Sequence, residues 1–88
     1  MKYRKKPVVI EATQWTGYNT EKIEKFIGHT LTKQMNVINL DEVSCLIIPT
    51  LEGQHIANLG DWIIKGVKGE FYPCKPDIFK ETYEEVEE

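Results

Sequence analysis

A hairpin pattern between residues 59 and 79 constrains the fold of this chain more than any other stretch. The sequence LGDWIIKGVKGEFYPCKPDIF contains two short runs rich in β-branched and aromatic residues, joined by the connection GVKG at residues 66–69. Such runs with glycine between them are typical of a β-hairpin, because glycine reaches the positive φ angles of tight turns. We predict strands over residues 61–65 and 70–74, preceded by a turn at Leu59-Gly60 in which the Asp61 side chain bonds local backbone.

The clearest helix signal covers residues 20–27, TEKIEKFI. Ile23, Phe26 and Ile27 recur at spacings of three and four, which places them on one helical face. Asn19 or Thr20 is suited to the N-cap, and Gly28 to the position just past the helix. A second, short helical turn is predicted over residues 76–82, where Pro76 or Asp77 suits the first turn.

Three further segments alternate or are rich in β-branched residues, as strands are. These are residues 8–15, 44–50 and 55–58, and a weaker pattern predicts another strand over residues 36–40. The order of elements predicts an α+β fold with a small, mainly antiparallel, curled β-sheet. Eighty-eight residues leave room for a single domain, residues 1–88, with one modest core.

Composition and charge narrow the class of protein. The apolar run that starts at Val8 is stopped by Glu11, which is too short for a signal peptide, and no run is long enough to cross a membrane. We expect a cytoplasmic protein whose two cysteines, Cys45 and Cys74, are reduced. The net charge is −3, with bases concentrated at the start and acids at the end. This balance disfavours nucleic acid as a partner. The two ends are predicted first as solvated termini of opposite sign; if they lie side by side instead, they attract each other within a chain or across a homodimer.

Three blocks of sequence carry a family resemblance. YRKKPVVIEATQW, IPTLEG and GDWIIKGVKGEFYPCKPDIF resemble small uncharacterised proteins of tailed bacteriophages and prophages, and the blocks are spread along the chain from residue 3 to residue 79. The last block is also similar to the domain named for its PGDYG motif, although Leu59 and Trp62 stand where that motif has Pro and Tyr. The resemblance implies a phage or prophage accessory protein in the host bacterial cell, without an established activity.

No residue pattern specifies a chemistry. His29, Cys45, His55 and Cys74 are scattered singly rather than in the paired spacings of metal sites, so we identify no metal ligands. No nucleophile motif or phosphate-binding loop is present, so we assign no catalytic residue and expect no cofactor. An enzyme or metal protein is the weakest of the three hypotheses that remain.

Binding is the better hypothesis, because the chain has more aromatic residues than a small core needs. We predict first a non-enzymatic module that binds a host or phage protein through a sheet edge or aromatic patch. The alternative is a binder of a small anionic, nucleotide-like ligand, in which an aromatic shelf is flanked by cations. Its candidate residues are Trp62, Lys65, Tyr72 and Lys75. If Trp15 and Trp62 instead pack on Phe26, both are core residues.

Overall fold

The computed structural model describes residues 1–4, 7–35 and 43–86, with side chains omitted at residues 34, 35, 43 and 44. In chain order the elements are β1 (Glu11–Gln14), α1 (Thr20–Ile27), β2 (Thr32–Met35), β3 (Val43–Thr50), β4 (Gly53–Asn58), β5 (Trp62–Lys65), β6 (Phe71–Cys74) and α2 (Pro76–Thr82). They form two three-stranded antiparallel sheets, ordered β1-β5-β6 and β2-β3-β4.

The predicted α+β class and antiparallel pairing are confirmed, and both helices have the predicted bounds. The strand predicted over residues 8–15 forms ladder pairs only from Glu11 to Gln14. It is shorter because its partner is short: Glu11 pairs with Lys65, the last residue of β5, and the chain turns at Gly66. β4 begins two residues before the prediction, at Gly53. The strand predicted over residues 36–40 lies outside the described residues.

The core lies between the two sheets and α1. Trp15, Ile23 and Ile63 are fully buried at its centre, and Phe26 and Phe71 pack edge to face with 5.4 Å between ring centroids. The other buried members of this cluster are Ile27, Leu31, Leu46, Ile48 and Ala57. Each element thus contributes only a few side chains, so the packing of the sheets and α1 is mutually dependent.

Two backbone hydrogen bonds join the turn before β5 to Trp15, the residue that follows β1. The Trp15 N–H donates to the carbonyl of Asp61 at 2.8 Å, and the Gly60 N–H donates to the carbonyl of Trp15 at 2.8 Å. The buried Asp61 carboxylate accepts the Asn58 N–H at 2.9 Å, which confirms the predicted bond to local backbone. Gly60 has φ +91°, a conformation that glycine adopts without strain.

Asn19 begins α1 with a backbone role rather than a side-chain cap. Its carbonyl accepts the Ile23 N–H at 3.1 Å. Its side chain turns back instead, donating to the Gln14 carbonyl at 2.7 Å and accepting the Thr16 N–H at 3.0 Å. At the other end, Gly28 takes φ +100° and its N–H donates to the Glu24 carbonyl at 2.7 Å. Asn19 therefore occupies the Gln14 carbonyl at the end of β1, on the strand edge that faces away from β5.

Neither described helix is long and apolar enough to span a membrane.

Glu24 links α1 to β2 and should make stability depend on pH. Its Oε2 accepts the Leu31 N–H at 2.7 Å and lies 3.3 Å from the Lys33 Nζ. These contacts, the backbone bond foremost, hold the pKa of Glu24 below its ordinary value. A lowered folded-state pKa favours folding above the unfolded pKa, and that contribution is lost as pH falls through the folded pKa.

We therefore expect the Glu24→Gln variant to be less stable than the wild type at pH 7, with the difference shrinking as pH falls below about 4. Urea unfolding at several pH values measures this. Glu52→Gln, at an exposed turn position, is the matched control for the loss of one carboxylate. A difference for Glu24→Gln that is constant with pH would contradict the assignment.

Candidate functional site

The outer face of the β1-β5-β6 sheet is covered by α2 through aromatic contacts. Trp62 stacks on Phe79, with ring centroids 4.2 Å apart and planes 7° from parallel. Phe79 also contacts Tyr83, at 5.1 Å between centroids. Tyr72, which faces Ile64 across the ladder, forms a side-chain hydrogen bond with Tyr83. Ile64 shares this face with Trp62 and Tyr72 and is fully buried, although it faces away from the main core.

The environment of Tyr72 favours its protonated form. Partial burial is the largest cause, followed by the hydrogen bond with Tyr83 and the charge of Glu70, and together they raise the pKa of Tyr72 to about 12. The neutral hydroxyl is therefore retained throughout the physiological range. Tyr72 can act there as a hydrogen-bond donor or acceptor, but it supplies no charge.

We expect Tyr83→Phe to move the pKa of Tyr72 back toward 10, because the variant removes the hydrogen-bond partner and leaves the ring. Absorbance at the phenolate band, followed from neutral to strongly alkaline pH, measures the titration. Tyr18→Phe, at an exposed position, controls for the loss of one tyrosine from the signal. An unchanged late-titrating component in Tyr83→Phe would mean that burial alone governs Tyr72.

The four residues considered for an anionic ligand do not all lie together. Trp62 and Tyr72 share the outer face of the sheet, because their ladder partners are Cys74 and Ile64. Lys65 is three residues from Trp62 on β5 and so projects to the opposite face. Lys75 is exposed at the N-cap of α2. Of the two tryptophans, Trp15 is a core residue, whereas Trp62 is half-buried and stacks on Phe79 rather than on Phe26.

A cavity lies beside this aromatic cluster, where residues 7–10 and residues 82–84 come together. It has a volume of about 580 Å³ and is an open groove over the end of the β5–β6 hairpin. We call it the valine groove. Its lining residues are 7–10, 66, 67, 70, 72, 82–84 and 86. Four of these are valines: Val8, Val9, Val67 and Val86.

The lining of the valine groove is mainly apolar, and its charged residues in the described chain are acidic. Val9, Val67 and Val86 are 78%, 70% and 61% exposed, so the groove is lined by aliphatic surface that the fold leaves in water. The charged residues in its described lining, Glu70 and Glu84, are both acidic. A ligand that fits this surface is therefore apolar with positive charge, the opposite sign from the nucleotide-like ligand considered from the sequence.

The hairpin holds one of these carboxylates in place. The Glu70 Oε2 accepts the Lys68 N–H at 3.0 Å, while the Gly66 N–H donates to the Glu70 carbonyl at 2.7 Å. Gly69 has the expected positive φ, +82°, but Gly66 does not. Gly66 matters for a different reason: a Cβ there would overlap the Glu70 carboxylate. The side chain of Glu70 is thus folded over the turn at the floor of the groove.

The valine groove was not predicted from the sequence. The sequence predicts Val8 and Val9 as part of the strand over residues 8–15 and Val67 as part of the hairpin connection at residues 66–69. The groove is built from segments more than seventy residues apart, and no local pattern brings such segments together.

The described residues contain no group of three His, Cys, Asp or Glu side chains placed to hold a metal ion. Burial and the nearby Asp61 and Asp77 raise the pKa of the Cys74 thiol. Its nucleophilic thiolate form is therefore disfavoured.

Comparison with protein-family models, with curated proteins and with solved structures found no match to this chain. Function is accordingly inferred from the valine groove, its charges and the strand beside it.

Proposed function

We propose that this protein is a protein-binding module that holds an extended apolar segment of a partner in the valine groove. The observation that carries the proposal is the groove itself: about 580 Å³ of open space lined by exposed valines at the junction of the chain ends. This volume lies within the roughly 300–1,000 Å³ of typical binding clefts. Contiguous exposed apolar surface of this kind marks interaction sites on monomeric proteins.

A strand edge next to the groove supports an extended partner rather than a helical one. Within the described chain, β1 pairs with β5 alone, and residues 7–10 continue beyond the last ladder pair. Asn19 already occupies the Gln14 carbonyl at the far end of β1. A partner strand would therefore add along residues 8–12, where main-chain groups supply affinity and the groove selects side chains.

The negative charge of the groove indicates the chemistry of the partner. Glu70 and Glu84 favour a segment that carries Lys or Arg beside its apolar residues. The sequence blocks that resemble phage and prophage proteins support an accessory role in the cytoplasm of the host cell, with a host or phage protein as partner. The small anionic ligand is less well supported, because Phe79 covers one face of Trp62 and Lys65 projects from the other face of the sheet.

Peptide display tests the proposal. A library of random extended peptides is selected on the immobilised protein, and the recovered peptides are measured against wild type and Val67→Asp by fluorescence anisotropy. We expect apolar sequences enriched in Lys and Arg, with affinity at least about tenfold weaker for Val67→Asp, because the valine contact that the complex buries is lost and a carboxylate must be desolvated in its place.

Tyr18→Asp is the matched control, because Tyr18 is 87% exposed and does not line the groove. It should bind the selected peptides as the wild type does. Recovery of no binding peptide, or of peptides that bind Val67→Asp equally well, would reject the valine groove as the binding surface.

A further inference from the structure

The chain carries, at its own start, a segment with the chemistry that the valine groove selects. Residues 1–6 read MKYRKK: four bases, an aromatic residue and a methionine. We propose that the occupant of the valine groove is this N-terminal segment of a second copy, so that two chains exchange segments and form a dimer. This inference rests on the proposed function, and it names the partner.

Charge complementarity is the first reason. The described charged lining of the groove is acidic, at Glu70 and Glu84, and the neighbouring Glu81 and Glu85 on the C-terminal segment are exposed. The four bases of the N-terminal segment are Lys2, Arg4, Lys5 and Lys6. The positively charged N-terminal segment, or arm, and the negatively charged groove attract each other at long range, and this attraction fixes the direction in which the segment docks.

The position of the N-terminal segment is the second reason. Residues 7–10 form part of the groove wall, but none of residues 1–4 lines it. Tyr3 is 86% exposed, so its ring has no apolar contact within its own chain sufficient to bury it. A second copy offers a surface of the required kind, and burial there would remove Tyr3, Val8 and Val9 from water in each chain.

The geometry allows the exchange to be reciprocal. Six extended residues reach about 20 Å, which is most of the 25–27 Å that the molecule measures across its two shorter axes. Residues 1–6 of one copy can therefore lie along the groove of the other, while residues 7–10 stay in the wall of their own groove. Because the same two surfaces meet twice, the assembly closes around a twofold axis and stops at two chains.

Sedimentation velocity of the full chain over a range of concentrations tests the dimer. We expect reversible dimerisation that weakens with added salt, because the contact is partly ionic. Lys2→Glu/Arg4→Glu breaks the arm and Val67→Asp breaks the groove, and each should raise the dimer dissociation constant at least about tenfold. All three substitutions are at exposed positions, so circular dichroism should show the wild-type fold.

Mixing the two variants gives the sharpest result. The arm of Val67→Asp and the groove of Lys2→Glu/Arg4→Glu are both intact, so the mixture should form a heterodimer through one of its two contacts. Neither variant alone can do this. A dimer that is insensitive to both variants, or a mixture no more associated than its components, would overturn the exchange.

The outcomes separate this inference from the proposed function. A chain that stays monomeric at every concentration overturns the dimer. If displayed peptides still bind that monomer and Val67→Asp still weakens them, the groove binds a foreign partner and the proposed function stands. If Val67→Asp alters neither self-association nor peptide binding, both proposals fall.

Discussion

Replacing Trp15 with alanine should lower the free energy of unfolding by about 3–5 kcal/mol. Trp15 is fully buried, and the core cluster around it joins both sheets and α1. Small domains are stable by only about 5–15 kcal/mol, so the variant should be close to unfolding at room temperature. Urea unfolding followed by circular dichroism measures the loss, and the signal at zero denaturant shows the unfolded fraction.

Two further substitutions sharpen this prediction. Tyr18→Ala removes an aromatic ring at an exposed position and should change stability by less than about 0.5 kcal/mol. Trp15→Phe should cost less than truncation, partly because the buried Trp15 Nε1 has no hydrogen-bond partner among the described residues and phenylalanine carries no such donor. A loss below about 1 kcal/mol for Trp15→Ala would contradict the central position of this residue.

Replacing Ile64 with alanine should cost about 2–5 kcal/mol, as much as Ile63→Ala. The two residues are adjacent on β5 and face opposite sides of the sheet, yet both are fully buried. Ile63 belongs to the main core, whereas Ile64 lies on the outer face of the sheet, where Phe79 of α2 stacks on Trp62. Urea unfolding of the two single variants under identical conditions makes the comparison.

Phe79→Ala separates the contribution of α2 from that of β5. It removes the ring that stacks on Trp62, and stacking of this kind contributes about 0.5–1.5 kcal/mol beyond burial. The emission of Trp62 should shift to longer wavelength as it becomes exposed. If Ile64→Ala costs under about 1 kcal/mol while Ile63→Ala costs the expected amount, α2 does not seal the outer face.

Local signals explain what could be predicted from the sequence. Helix α1 was predicted with its observed bounds because Gly28 and the spacing of Ile23, Phe26 and Ile27 lie within nine residues of chain. The hairpin was predicted for the same reason. The alternation of β5 also predicts that Lys65 and Trp62 face opposite sides of the sheet, so the predicted four-residue ligand site conflicts with the pattern of its own strand.

Non-local partners explain what could not be predicted. The start of β1 at Glu11 depends on where β5 ends, more than fifty residues away. Strand β2 reads TKQM and has one apolar residue, so it is held by its ladder to β3 rather than by its own pattern. The valine groove depends on two chain ends meeting. Each of these features is fixed by a pairing that no window of sequence contains.

The strand order also sets an order of events during folding. Strands β2, β3 and β4 pair with their neighbours in sequence, so their sheet can form from a contiguous stretch of chain. In the other sheet β5 is central, and its ladder joins Glu11 to Lys65. Closing so long a loop is slow. During synthesis, therefore, β1 has no partner until residues 62–65 have left the ribosome, and both of its strand edges are open to pairing with other chains throughout that time.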